Sequence, residues 1–503
     1  MVTRNVNLDI MKIDKEEILK IYKEAKKALK LFYKKYASLE TESKVKDALK
    51  DSEEILEYLG LVYQYTRTFK YYTGKDISTK YFIAKCNAAN NIDLLKIFLK
   101  ENFQNEKYEI SSLIDKFPEY RQTIININSS TIEDLEQEYI TDEIYYTRDI
   151  NLTKKALEMY RETEKRNANM LGFKDVSEYL LYVQGIDKKV LDNCISLKEI
   201  KNMVDKMSEY FTAYFNKDFE KKLGSLEQHI LAMSSYIFSE NKMNLKMSIQ
   251  IISKIVEQTF KGKHADYVTK HSTDIYESEN AAVQSICAIS YAYKPSIITD
   301  KVKNINDLFI LAHELGHAAE TSYNTSKLIY TNGYEEIPSL MYENAVYSKL
   351  INCNKDGAFI YLSSLKLYLI DYPIYIYLQK ELLSGKDIIE SFSYVSKYVY
   401  GNTFNLNEID KFAYLQETFM TDKMELLKYY LGNLVSLNVL DKIDNKDKDI
   451  CANYERYLEF TDSMDMTKRI DKYLGIDMLD KAYVESAYAR VTNIIDKELS
   501  KLK

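Results

Sequence analysis

The sequence predicts a mainly α-helical protein of more than one lobe, on three observations. Only 4 Pro and 13 Gly punctuate 503 residues, so long helices can run with few breaks. Apolar residues recur at helical spacing through most of the chain, while strand-like alternation is scarce. Apolar content of 46% is ample for burial, and 503 residues exceed one compact core of ordinary size, so two or more lobes are expected.

Charge and composition exclude several function classes. The 69 basic and 76 acidic residues are interspersed and give a net charge of −7, without the basic stripe that phosphate binding needs, so nucleic acid is not an expected partner. No stretch approaches the roughly 18 apolar residues of a membrane span, and the N-terminal MVTRNVNLDIMKIDKEE has no continuous apolar segment. A cytoplasmic protein with no membrane partner is the expectation. Cys86, Cys194, Cys287, Cys353 and Cys451 are scattered without ligand spacing, which predicts reduced and mostly buried thiols, with Cys287 in the core. The 45 Tyr, with no Trp, suit A- and T-rich codons and carry no cofactor signal.

Taken in order, the first helix is predicted from Asp14, which pairs with Glu17 as a capping box, and buries Ile18, Ile21, Tyr22, Ala25, Leu29, Phe32 and Tyr36. Helices continue to about residue 185. Asn126 to Thr131 reads as a loop, and Gly172 reads as a helix end before a new start at Asp175 or Ser177. This part has no His and no acid cluster, so it is expected to be a wall or lid (1–185), leaving 186–503 as the catalytic part. His229, His264 and His271 are expected to be polar surface residues, with a loop around Lys261 to His264. Residues 281–293 and 295–299 then read as a small β-hairpin turning at Tyr293-Lys294. Further on, Pro373 starts or interrupts a helix over 371–383, a helical region runs from Leu406 to Leu440, and a terminal helical pair is broken near Gly475.

The chemistry is concentrated in NDLFILAHELGHAAE, 306–320, where His313, Glu314 and His317 form HExxH. On an α-helix, His313 and His317 project from nearly one face and can present two ring nitrogens to one metal ion. Glu314 lies at the flank, placed to reach the attacking water rather than the ion, as a general base must. Asn306 or Asp307 can cap this helix, and Leu308, Leu311, Ala312 and Leu315 form its apolar face. Hydrolytic zinc takes three protein ligands and keeps one position open. Downstream, Pro338 suits the first turn of a second helix, and Glu335, Glu336 and Glu343 are the carboxylates available. Spacing does not choose among them.

HELGH followed by E-x-P-S-x-x-x-E-N resembles the thimet oligopeptidase and oligopeptidase F family of zinc peptidases. The resemblance implies that Glu336 is the third zinc ligand, beside His313 and His317, with one Zn2+ per chain and Glu314 as catalytic base. It also implies a helical two-lobed clam with a deep channel, and a hairpin or small sheet beside the zinc helix that holds extended peptide by its backbone. The runs EKRNANMLGFKDVSEYLL and GIDM extend the likeness over most of the chain. Glu343 is open between a surface carboxylate and a partner for a ligand His.

The chain departs from the family in three places. No His follows His317, so the family's downstream His has no counterpart. Thr418-Phe419-Met420 stands opposite H-F-Y, and with Gly432 set opposite the family Gly, Glu425 and Leu427 stand where Tyr is expected. Ser285-Ile286-Cys287 stands where family members often carry Gly. Tyr414, Tyr429 and Tyr430 are the available substitutes as oxyanion donors, each also compatible with packing. The expected activity is zinc-dependent hydrolysis of short unfolded peptides. The alternatives are a weak or inactive zinc-containing peptide-binding homologue, or an endopeptidase dedicated to one narrow substrate.

Overall fold

A computed structural model describes residues 15–73, 79–128, 150–170, 172–215, 223–278, 286–290, 293–323, 333–351, 355–401, 424–459 and 465–502. The fold is mainly α, as the scarcity of Pro and Gly predicts, with one three-stranded sheet among the described residues. Contacts divide the chain into two compact units, Met1–Ser129 with Asp266–Val302, and Ser130–Ala265 with Lys303–Lys503. No helix of the described residues is long and apolar enough to cross a membrane.

In the first unit, α1 (Lys15–Lys35), α2 (Glu42–Thr73) and α3 (Thr79–Asn105) pack together. The apolar stripe of α1 is buried as its spacing predicts at Ile18, Ile21, Ala25, Leu29 and Phe32, while Tyr22, expected with them, is only half-buried; Tyr36 just beyond the helix donates to Asp51 Oδ2 at 2.5 Å. Asp14 lies outside the described residues. Asn126 to Asn128, expected in a loop, instead complete the helix Arg121–Asn128, where Ile124, Ile125 and Ile127 are buried.

The sheet has the order β1–β3–β2, with β1 Ile275–Ser278, β2 Ile286–Ser290 and β3 Tyr293–Asp300. The expected hairpin is the antiparallel β2–β3 pair, but its turn is displaced: Tyr293 already pairs with Ser290, so Tyr293-Lys294 belong to the strand. A bulge between Ala288 and Ser290 absorbs the extra residue, an irregularity that periodicity does not reveal. No local pattern announces β1, since four residues, IYES, are too few for a pattern and their parallel partner lies beyond an intervening strand.

In the second unit, α4 (Leu245–Phe260), α5 (Ile305–Tyr323), α6 (Glu336–Leu350) and α9 (Glu425–Asp444) enclose the centre of the core, with α7 (Lys355–Lys366) and α8 (Tyr372–Leu383) beside them. The cap of α5 is Asn304, not Asn306 or Asp307. Asn304 Oδ1 accepts from the backbone of Asn306 and Asp307 at 2.8 and 3.3 Å, and Asp307 Oδ2 accepts from Lys303 and Asn304 at 2.7 and 3.0 Å. This reciprocal box starts the helix one residue before the expected cap. Leu308, Leu311, Ala312 and Leu315 are buried as predicted. Asp175 caps the helix after Gly172, whose φ of +79° ends the preceding one.

Pro373 stands in the first turn of α8, at the expected start of a helix. A π turn, Leu367–Asp371, joins α7 to α8, so the proline that cannot donate a backbone hydrogen bond sits just after the widened turn. Two histidines expected at the surface are buried, His264 at 0% and His271 at 4% exposure. Gly262 ends the loop early and a helix, His264–His271, restarts at once. His264 then stacks on Tyr454 at 5.3 Å and its Nδ1 meets Tyr342 Oη at 2.9 Å, where burial pushes its pKa down to about 3. The side chain of His229 is outside the described residues. Of the thiols, Cys194 is buried, Cys86 is exposed, and Cys287, expected in the core, is intermediate. Cys353 is outside the described residues.

Candidate metal centre

The His313 and His317 rings leave one face of α5 with centroids 5.0 Å apart. Their Nε2 atoms converge on a single oxygen of α6, Glu336 Oε2, at 3.1 and 3.4 Å. The three ligand-type atoms lie within 4.8 Å of one another and could hold a metal ion. The donor set of two imidazoles and one carboxylate suits a borderline-soft divalent ion such as zinc. Glu314 is 7% exposed on the same helix.

Two glycines let three helices close around Glu336. A Cβ on Gly316 would lie 2.4 Å from Pro338 O and 2.5 Å from Ser339 Cα, so only glycine allows α5 to touch the first turn of α6. On the other side, a Cβ on Gly432 of α9 would lie 3.0 Å from Glu336 C and O and 2.8 Å from Leu340 Cδ1. Because Gly316 meets rigid backbone and Gly432 first meets a mobile methyl, Gly316→Ala should lower Tm more than Gly432→Ala. The expected loss is about 1–3 kcal/mol for the former. Thermal melts of the two variants check the order, and equal melting temperatures would contradict it.

The second ring nitrogen of His313 is also engaged. His313 Nδ1 meets Glu343 Oε2 at 3.0 Å, and Tyr368 Oη lies 3.4 Å from both oxygens of Glu343. Glu343 is thus 7% exposed and engaged, not a surface carboxylate. Glu336 and Glu343, two turns apart on α6, hold the two nitrogens of one imidazole. Ser339 Oγ donates to Glu336 Oε2 and to its backbone oxygen, both at 2.9 Å.

Electrostatics follow from this geometry. Burial, the largest influence on His313, would lower its pKa, but the hydrogen bonds to Glu336 and Glu343 together outweigh it and hold it well above the usual value. His317 is raised against the same burial by the charge and hydrogen bond of Glu336. Glu336, despite burial, is held well below the usual carboxylate range by the two histidines. Glu320, one turn beyond His317, is pushed up to about 8 by burial, with Glu335 and Glu336 adding to the rise.

Of the three tyrosines considered as donors, Tyr429 stands at this cluster. Its ring lies over His313 at 6.3 Å and 22°, and burial, with the charge of Glu336 nearby, pushes its hydroxyl pKa up. Tyr430 faces the other way and is corrected: its hydroxyl donates to Cys194 O at 2.7 Å and meets Tyr488 Oη at 3.4 Å in the core. Tyr414 and Thr418-Phe419-Met420 are outside the described residues. Glu425 and Leu427 open α9, the former near Lys428 and the latter fully buried. Sequence reasoning missed Lys428, Ser339, Tyr368 and Glu320. Ser339 was visible in the E-x-P-S motif, whereas Lys428 and Tyr368 come from distant helices and left no local pattern.

No protein-family model matches the sequence. A curated oligoendopeptidase F homolog of Borreliella burgdorferi is 21% identical over 99% of this chain and 92% of that protein. Among solved structures, a protein of Chlamydophila abortus matches with a TM-score of 0.68 at 14% identity, over 99% of this chain and 100% of that one. Oligoendopeptidase-F of Enterococcus faecium matches with a TM-score of 0.60 at 13% identity, over 97% and 99%. The resemblance to the oligopeptidase F family of metallopeptidases, carried in the sequence by two short motifs, extends through the fold of the whole chain.

Proposed function

We propose that the chain is a zinc-dependent oligoendopeptidase that hydrolyses short unfolded peptides. The observation that carries this reading is the convergence of His313 Nε2 and His317 Nε2 on Glu336 Oε2, with His313 Nδ1 already held by Glu343. In this reading His313, His317 and Glu336 hold one zinc ion. When bound, zinc supplies a Lewis acid that polarises the scissile carbonyl and makes water acidic near neutral pH.

The remaining steps belong to the chain. Glu314, buried at the flank of the pair, takes a proton from the attacking water and returns it to the leaving amine. Glu343 fixes the ring of His313 so that Nε2, not Nδ1, points at the ion. Tyr429, over His313, is the tyrosine placed to donate to the developing oxyanion. Residues 1–185 act as wall or lid and 186–503 carry the catalysis, with a cytoplasmic location and peptides as the partners.

A second reading keeps zinc and peptide binding but assigns weak turnover, no turnover, or one narrow substrate. It is favoured by a specific deficit: no His follows His317, and Tyr430 is committed to Cys194. Loss of an oxyanion donor costs on the order of 100- to 1,000-fold in rate, which lowers activity without removing the mechanism. The test is a library of peptides about five to twenty residues long, incubated with wild type, with chelator-stripped protein and with protein restored by one equivalent of zinc. Products should vanish on stripping and return with zinc. Cleavage that survives full metal removal would sink the zinc reading, and intact peptides with zinc-replete protein would select the second.

Metal binding should also be linked to pH. The raised pKa of His313 means that its proton stabilises the metal-free fold fully below about pH 6.5, and this contribution is lost as pH rises through the folded value. The depressed pKa of Glu336 adds stability above about pH 4.5 that is lost as pH falls through its folded value. Zinc must displace the histidine protons, so the rise in Tm on adding zinc should grow from pH 5 to pH 8. A zinc-induced shift in Tm independent of pH would contradict the assignment of both histidines.

A further inference from the structure

We infer that Lys428 is a positioning residue that makes Glu336 offer one oxygen, not two, to the metal ion, an inference that rests on the zinc reading above. Lys428 sits in the first turn of α9, yet it is only 8% exposed. Its ammonium bridges Glu335 Oε1 at 2.6 Å and Glu425 Oε1 at 2.9 Å, and lies 3.9 Å from Glu336 Oε1. The two oxygens of Glu336 therefore have opposite company. Oε2 faces both histidine nitrogens and accepts from Ser339, while Oε1 faces a permanent positive charge.

A carboxylate on a short arm can close on an ion with both oxygens, and doing so fills a position that hydrolysis needs open. Turning Oε1 toward the histidines would take it away from Lys428 in a buried setting, where an ion pair is weakly screened. Gly432, one turn beyond Lys428, lets α9 press against the backbone of Glu336, so the ammonium is delivered by a rigid helix. Lys428 also lies 5.4 Å over the ring of Tyr429, which ties the placement of that hydroxyl to the same charge. The carboxylates around it, Glu335, Glu336 and Glu425, outnumber it, so its removal leaves the start of α6 free to rearrange.

The experiment is cobalt substitution of wild type, Lys428→Met and Lys428→Arg, read by the visible spectrum of the bound ion. Four-coordinate cobalt absorbs strongly and five-coordinate cobalt weakly, so the spectrum counts ligands without relying on turnover. The Met variant should bind cobalt with clearly weaker absorption, and its kcat should fall roughly 10- to 100-fold with KM little changed; the Arg variant should recover both. A Met variant with the wild-type spectrum would overturn the inference. Should the Met variant not fold, Lys428→Gln keeps a donor toward Glu335 and is read the same way. Wild type that takes up no cobalt at these ligands would overturn the zinc reading itself. Wild type with a strong spectrum shared by every variant would overturn only the role of Lys428.

Discussion

Glu314→Gln is expected to keep the metal and to lose about 100- to 10,000-fold in kcat, with little change in KM. The side chain follows His313 on α5, so it is rotated by about 100° from the ligand pair and does not compete for the ion. Burial leaves Glu314 7% exposed, which shields it from bulk water and makes glutamine the substitution that best preserves its packing. Glutamine has the same shape and can still hydrogen-bond, but it cannot accept the proton of the attacking water. Metal content by emission spectroscopy and steady-state kinetics on one cleaved peptide separate the two consequences. Zinc retained at one per chain with turnover gone is the expected result; turnover at the wild-type rate would remove Glu314 from the mechanism.

What the sequence made legible was local. The HExxH spacing needs only helical geometry, and the apolar positions 308, 311, 312 and 315 are buried where that geometry puts them. The third carboxylate was not legible from spacing, because Glu335, Glu336 and Glu343 share one short segment; it was the resemblance that separated them. In the structure their company differs sharply. Glu335 pairs with Lys428, Glu336 with two histidines and Glu343 with the far nitrogen of one of them. Those differences arise where α5, α6 and α9 meet, so no single window of sequence holds them.

The misread histidines have the same origin. His264 follows Lys261 and Gly262 with φ of 59° and 62°, a genuine turn signal, and nothing local announces that Tyr342 and Tyr454 close over it. The strand β1 fails for a related reason, since a short parallel strand is specified by its partner β3 more than by its own residues.

Glu336→Gln should weaken zinc binding by at least about 100-fold, more than the 10- to 100-fold expected for Glu343→Gln, which removes only a partner of His313. Glutamine at 336 keeps the volume and can keep the hydrogen bond from Ser339, so packing between Gly316 and Gly432 is preserved. What is lost is the negative charge on which both Nε2 atoms converge. Lys428 retains Glu335 and Glu425, so the variant leaves no buried cation unpaired and is expected to fold. His313 retains Glu343, whereas His317 loses the carboxylate that chiefly raises its proton affinity. Its pKa should therefore fall, and the metal-free variant should lose the stabilisation that this proton provides below about pH 6.5. Competition against a chelator of known affinity, run on both variants, ranks the two carboxylates. If Glu343→Gln proved the more damaging and Glu336→Gln bound zinc as wild type does, the ligand and the supporting carboxylate would have to exchange places. Lys428 would then be steering a group that never touches the ion.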